Sequence, residues 1–377
     1  MDFALSTEQE DLRAAIRRFV DERSPLSAVR EAVKTDAGHD TGLWSRMSRD
    51  LDLPGLLVPE KVGGSGATMV DAAIVAEELG RGLVPSPYFA TVALGVIPLL
   101  ATEPRGLGAG VQADVLTEVA AGKCTLTTAL TEPGAASSLA PVSMRASEVA
   151  GRATLTGTKI QVIDGHTADR VIVVAVSAEA EDRYGLYLVD GGADGLTRTK
   201  VETLDLTRPM ATLNLDGVSA TRLGDLMSWS EVQHMLDRSA TLLAAEMVGG
   251  LEGAMTLAVE YAKVRHQFER PIGSFQAIKH RCAEMAVELD ASRAASLYAA
   301  HLASTDDPGL ATAAPVALAT AAAGFTFAAS WNIQIHGGIG FTWEHDAHLY
   351  YRRAKADEVL FGSPRQNWLA LADRLGI

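Results

Sequence analysis

The hydrophobic rhythm of this chain changes twice, and the double change limits its fold more than any single motif. Up to about residue 122 the apolar side chains recur every three or four positions, as on helices. Ser6 and Gln9 have the spacing of a capping box, and Leu12, Ile16, Phe19 and Val20 then share one face. The stretch "TMVDAAIVAEELGRGL" reads as another helix, with Gly80 near its end. From about residue 123 to 225 the period becomes two. "RVIVVAVS", "YGLYLVDGG" and "ATLNLDGV" are β-branched runs parted by Gly and Asp, at the spacing of an antiparallel barrel or sandwich. Helical spacing then returns through Val232, Met235, Leu236, Leu242, Leu243, Met247, Leu251 and Met255. Three further helical stretches follow with short links, which is the pattern of a four-helix bundle. The expected fold is therefore α+β and multidomain. An N-terminal α-helical domain spans residues 1–122, a middle antiparallel β-barrel or sandwich domain 123–226, and a C-terminal four-helix bundle 227–377.

Composition narrows the function classes. At 47% hydrophobic and 21% charged residues, the 377-residue chain can build a sizeable core. Its net charge of −14 repels a phosphate backbone, which argues against nucleic acid as a partner. Cys124 and Cys282 have no metal-ligand spacing and form no disulfide framework, so no metal site and a reduced, cytoplasmic compartment are expected. The start, "MDFALSTEQEDLRAAIRRF", lacks the long apolar region of a signal peptide. Pro308 to Gly340 carries no formal charge with His336 neutral, but it is mostly Ala, Gly and Thr, interrupted by Pro315, Asn332 and Gln334. It reads as a helix buried in the bundle rather than a membrane span. No G-x-G-x-x-G follows a strand and no G-x-x-x-x-G-K-[ST] occurs, so Rossmann and P-loop readings have no support.

Two stretches carry binding chemistry. "VRHQFERPIGSFQAIKH" sets Arg265, His266 and Arg270 around a Pro-Ile-Gly turn before a helix, a plausible phosphate site. "QIHGGIGFTWEHD" puts Gly337, Gly338 and Gly340 just past a helix, where backbone N–H groups can approach a ligand. Taken singly, each fits helix capping equally well.

Together they resemble the acyl-CoA dehydrogenase family. Arg265-x-x-Phe268 followed by Phe275-Gln276, and Gln334-x-x-Gly337-Gly338-x-Gly340-Phe341, are similar to the family's two C-terminal motifs. "LTEPGAASS", Leu130 to Ser138, is similar to its Thr-Glu-Pro-Gly-Ala-Gly-Ser. The resemblance covers essentially the whole chain and implies the family's helix–β–helix fold, α,β-desaturation of an acyl-CoA thioester, and FAD as cofactor, shared across a subunit interface. By this resemblance Arg265, Phe268, Gln276, Gln334, Gly337 and Gly338 hold the pyrophosphate and adenosine end of a neighbour's flavin. Leu130, Thr131 and Ser137 line the isoalloxazine half within the chain. The implied partners are an acyl-CoA, a homologous subunit or a second copy, and an electron-transfer flavoprotein or similar acceptor, with no membrane.

The catalytic positions depart from the family. Most members place the base, a Glu, just before the Gly of the C-terminal turn; here that residue is Phe361, before Gly362. A minority place it on the first bundle helix, which an ungapped count from Arg265 assigns to Ser239. Neither removes a proton from an α carbon unaided. Glu246 is the nearest carboxylate on that face, but it lies about 10 Å along the axis from Ser239. It remains a weak candidate, for which pairing with an inward Arg or Lys is the plainer role. Asp237 and Glu358 point elsewhere by helical rotation. Gln161 and Ile163 replace the Trp and Thr that normally flank the flavin, and Glu269 replaces the Gly after Phe268. The expectation is a supporting subunit of a heteromeric α2β2 enzyme, similar through "GFTWEHDAHLYYRRAKA" to the actinobacterial branch acting on steroid side-chain CoA thioesters. Two alternatives stand beside it: a self-sufficient homo-oligomeric dehydrogenase with an unrecognised base, and a non-catalytic acyl-CoA-binding protein on the same scaffold.

Overall fold

The computed structural model describes residues 4–102, 108–135, 140–149, 152–178, 180 and 182–377. Its first layer is helical: α1 (Thr7–Arg23), α2 (Leu26–Ala32), α3 (Thr41–Arg49), α4 (Met69–Arg81), a π-helical segment Phe89–Val96 running into α5 (Ile97–Ala101), and α6 (Gly108–Ala120). The capping box read from the sequence starts α1: Ser6 Oγ accepts from the Gln9 N–H, and the Gln9 side chain accepts from the Ser6 N–H. Ile16 and Val20 are buried from this helix.

Seven strands form the middle layer: β1 (Leu126–Ala129), β2 (Arg145–Val149), β3 (Arg152–Ile163), β4 (Arg170–Ser177), β5 (Tyr184–Asp190), β6 (Leu196–Val201) and β7 (Met210–Met227). β3 and β5 pair antiparallel with β7, and β4 pairs antiparallel with β5. The purely antiparallel barrel or sandwich expected from the alternation needs correction. The ladder does return on itself, but β1 and β2 both pair parallel with β4, so the sheet is mixed. Alternation tells which face a side chain takes and is silent on strand direction. β1 and β2 are not joined to β4 by a hairpin turn, and the intervening chain brings β4 back in the same sense. Inside this layer Leu155, Val171, Tyr187 and Leu213 form a core of their own.

The third layer is the bundle: α7 (Trp229–Val264), a hairpin of β8 (His266–Gln267) and β9 (Arg270–Pro271), α8 (Gln276–Ser304), α9 (Leu310–His336), α10 (Ala347–Asp357) and α11 (Pro364–Leu375). α7 and α9 are long and apolar enough to cross a membrane by length and composition, yet both are mostly buried inside the bundle. α10 stops at Asp357, and the chain turns through Phe361 (φ +54°) and Gly362 (φ +93°). Ser363 then caps α11, with Pro364 in its first turn.

α4 crosses α7 with almost no side chain between them. A Cβ on Gly249 would fall 1.7 Å from the Glu77 carbonyl oxygen, and one on Gly80 2.0 Å from that of Glu246. A Gly249→Ala substitution must therefore push the helices apart, and thermal or denaturant unfolding is expected to show a loss of about 1–3 kcal/mol. Gly110→Ala, in α6 and facing open space, serves as the control and is expected to gain up to about 1 kcal/mol. Equal stability of the two variants would contradict the close crossing.

Candidate active site

The two binding motifs meet at one end of the bundle. Arg265 caps the C-terminus of α7, and Gly337 ends α9 with φ +67°. The rings of Tyr261 on α7 and His336 on α9 stack at 4.2 Å between centroids, which ties the two ends together. Between β8 and β9 only Phe268 (φ +52°) and Glu269 (φ +63°) make the turn. Two left-handed residues in succession are what a tight hairpin needs, and Gly or Asn usually supplies them. Glu269 thus holds a glycine-type conformation in the place where the family has Gly. Phe268 stays 78% exposed, and the Arg270 guanidinium lies 4.2 Å over the Phe275 ring. Arg265, Gln276 and Gln334 are all exposed on this surface. Nothing lies within 4 Å of a Cβ built on Gly337 or Gly338, so their backbone is open to an approaching group. Phe341 (79% exposed) and Trp343 (59%) flank it.

A second region, at the junction of the three layers, is a cleft of only about 60 Å³. Leu94, Thr128, Leu130, Thr131, Gln161, Leu236 and Phe361 are among its ten wall residues, and none of the ten is ionisable. Leu130 and Thr131 thus stand in this wall; Ser137 lies outside the described residues. Phe361 is buried, with its ring in the wall of this cleft. Gln161 enters the cleft from a bulge in β3, where its φ is +56° and the pairing with β7 slips. Ser239 is fully buried, and its hydroxyl donates to the Ala93 carbonyl at 2.6 Å. That bond ties α7 to the π-helical segment and commits the Ser239 proton to the backbone.

Glu246, the weak base candidate, is paired with arginines, the plainer role expected for it. Its Oε1 accepts from Arg208 Nη2 at 2.7 Å and from Arg353 Nη1, in a separate cavity beside the cleft. A carboxylate bonded to two guanidinium groups is oriented toward them and not toward the cleft. Asp237 and Glu358 are ion-paired as well, with Arg374 (2.9 Å) and Lys355 respectively. Periodicity missed the charged partners of Glu246. A signal was present: Tyr350, Arg353 and Asp357 stand three and four apart on the buried face of α10, so two charges lie on an inward stripe.

Glu132, just after β1, is held by the fully buried Lys159. Lys159 donates to Glu132 (2.7 Å) and to the Leu130 carbonyl (3.0 Å). Glu132 also accepts from Ser143 and the Met144 N–H. Burial pushes the Glu132 carboxyl up, but the bonds from Lys159, Ser143 and Met144 outweigh it and hold the group at about 2; burial draws Lys159 down to about 8.

FAD, which the resemblance implies, fits one region and not the other. On the bundle end, Arg265 offers oriented donors to a diphosphate, and the open backbone of Gly337 and Gly338 leaves room for one. In the cleft, about 60 Å³ is far below the ~300–1,000 Å³ of ordinary ligand sites. The described residues there fit neither an isoalloxazine ring nor an acyl chain beside it.

Residues 6–103 match the family model for the acyl-CoA dehydrogenase N-terminal domain, and residues 229–376 that for the C-terminal domain. Acyl-CoA dehydrogenase IpdE2 of Mycobacterium tuberculosis is 35% identical over 360 residues, covering 95% of this chain and 94% of the relative. A solved variant of the Tcur3481-Tcur3483 steroid ACAD superposes with a TM-score of 0.87 at 29% identity, over 98% of each chain. The ChsE4-ChsE5 complex from Mycobacterium tuberculosis gives 0.89 at 26% identity, over 100% of this chain and 99% of that one.

Glu132→Gln leaves Lys159 buried without its counter-charge, and is expected to cost about 3–5 kcal/mol in urea unfolding. Lys159→Met added to it should recover part of the loss. The Glu132 carboxylate, depressed from its ordinary 4.5, contributes stability above that value that is lost as pH falls toward about 2. The acid limb of the pH–stability curve should therefore flatten in Glu132→Gln; an unchanged limb would show that the pair is not formed.

Proposed function

The chain belongs to the acyl-CoA dehydrogenase family, and on that premise we propose that it is the supporting subunit of a heteromeric acyl-CoA dehydrogenase. In this role Arg265, Phe268, Gln276, Gln334, Gly337 and Gly338 hold the pyrophosphate and adenosine end of a flavin whose ring lies in a homologous neighbour. When bound, FAD supplies the hydride acceptor for α,β-desaturation. The neighbour supplies the base, and its electrons leave for an electron-transfer flavoprotein or a similar acceptor. One observation carries the reading: the open, cationic glycine end coexists with a closed cleft whose described walls have no ionisable side chain. Phe361 has no proton to exchange, and Ser239 and Glu246 are committed to other partners.

A steroid side-chain CoA thioester is the proposed substrate class. Its support is the likeness to the steroid ACAD variant, together with this chain's closed cleft. A bulky ring system seated in the neighbour would not have to share space with a second bound flavin and acyl chain.

The test is co-expression of the chain with a homologous dehydrogenase subunit, followed by flavin quantification per chain. The expected result is one FAD per pair of chains. Arg265→Ala should lower the retained flavin by tenfold or more while the complex stays assembled. Expressed alone, the chain should be colourless and should not desaturate an acyl-CoA. One FAD per isolated chain, bleached by an acyl-CoA, would overturn the proposal in favour of a self-sufficient enzyme. A complex with no flavin in any form would favour an acyl-CoA-binding protein.

A further inference from the structure

Beside the cleft, behind Ile163, four carboxyl groups crowd around two guanidinium groups. Asp164 comes from the β3–β4 turn, Asp205 and Arg208 from the segment before β7, Glu246 from α7, and Arg353 and Asp357 from α10. All six are more than nine-tenths buried. Arg353 donates from Nε to Asp205 at 2.6 Å and from Nη1 to Glu246. Thr207 completes the Asp205 end, donating its hydroxyl at 2.6 Å and its N–H at 2.9 Å. Arg208 donates to Glu246 at 2.7 Å, and its guanidinium also covers the Phe89 ring at 4.6 Å.

Arg353 is spent on Asp205, Glu246 and Thr207, and Arg208 donates only to Glu246, its Nε left without a partner. The other two carboxyls are left over. Asp357 approaches Arg208 Nη2 only at 3.3 Å, and neither of its oxygens has a hydrogen bond. The Asp164 carboxyl also has no hydrogen bond among the described residues, and it lines a cavity of about 20 Å³, room for one water. A further cation acting on Asp164 is Lys200, whose ammonium is bonded to the Asp36 carbonyl. Two extra negative charges sealed in this space would cost far more than their attraction to shared guanidinium groups returns. Tyr88, also in the cavity wall, is held neutral by burial first and by the neighbouring Glu246 charge second.

The geometry points to a proton-linked latch: Asp164 and Asp357 close the junction between the β layer and the bundle in their protonated form, and ionisation of either loosens it. The latch ties pH to the cleft, because Ile163 lines both the cleft and the latch cavity. It is independent of whether this chain is a supporting subunit. Burial pushes the Asp164 carboxyl up to about 7, and pushes Asp357 up as well, against the pull of Arg208 and Arg353. A carboxyl with a raised folded value binds its proton more tightly folded than unfolded. Its stabilisation is thus present below the ordinary 3.8 and is lost as pH rises to about 7.

The test uses the full chain, with its partner subunit if the two purify together. Unfolding is measured from pH 5 to pH 8 for the unmodified chain, Asp164→Asn and Asp357→Asn. The folded-to-unfolded ratio of the unmodified chain should fall toward pH 7 by up to about tenfold per pH unit for each proton held. Each Asn variant, which mimics a neutral acid, should flatten that fall and match or exceed the unmodified chain at pH 8. Curves that stay parallel across the range would overturn the latch, since both carboxyls would then be ionised in the fold. If a variant does not fold, infrared spectra of the unmodified chain decide. A carbonyl band of protonated carboxylic acid that titrates near neutral pH supports the latch, and its absence at pH 6 refutes it.

Discussion

The contact on which most of the architecture depends is one between two backbones. Where α4 crosses α7, glycines replace side chains at Gly80 and Gly249, and carbonyl oxygens of each helix occupy the space. A crossing this close fixes more than separation. It sets the rotation of a 36-residue helix about its axis, and each residue along it then points in a determined direction. Ser239 is turned to the Ala93 carbonyl, Glu246 to Arg208 and Arg353, and Arg265 emerges at the far end beside the end of α9. The closed cleft and the open glycine end are two consequences of one rotation.

Charge is distributed to match. A chain of net charge −14 still presents Arg265 and Arg270 on a surface with exposed Phe268, Phe341 and Trp343, where an anionic tail and an apolar partner surface can both be met. At the junction of the layers, by contrast, charge is buried and partnered. Lys159 holds Glu132 just after β1, and Arg374 with Asp237 anchors α11 over the Phe361 turn. Buried pairs of this kind specify one seating of a layer more than they stabilise it, because desolvation offsets most of their attraction. Phe361 completes the seating from a left-handed backbone that a bulky residue adopts only when its surroundings hold it there.

Much of the fold could be read from the residues. The two changes of period gave helices, strands and helices in the right order, and Ser6 with Gln9 did start α1. The residue before Gly362 could be read as one with no proton to exchange. The candidate residues at Leu130, Thr131 and Phe361 stand together in one cleft, and those at Arg265, Gly337 and Gly338 lie on one end of the bundle. The strand directions and the identity of the arginines that pair with Glu246 were not readable. Alternation has the same form in parallel and antiparallel strands, and a carboxylate on a helix face does not reveal which guanidinium groups reach it from segments 38 and 107 residues away.

The sequence alone determined what is local: the period of each segment, the turn residues that break it, and the chemical capacity of each side chain. Phenylalanine cannot accept a proton, and glycine leaves backbone exposed, whatever the fold. The tertiary structure decided what depends on distance and solvent. It closed the cleft to about 60 Å³, used the Ser239 hydroxyl as a tie, and enclosed six ionisable groups away from water. Distance and dielectric are properties of the packed chain, and they set whether a carboxyl is a base, an ion-pair partner or a holder of a proton.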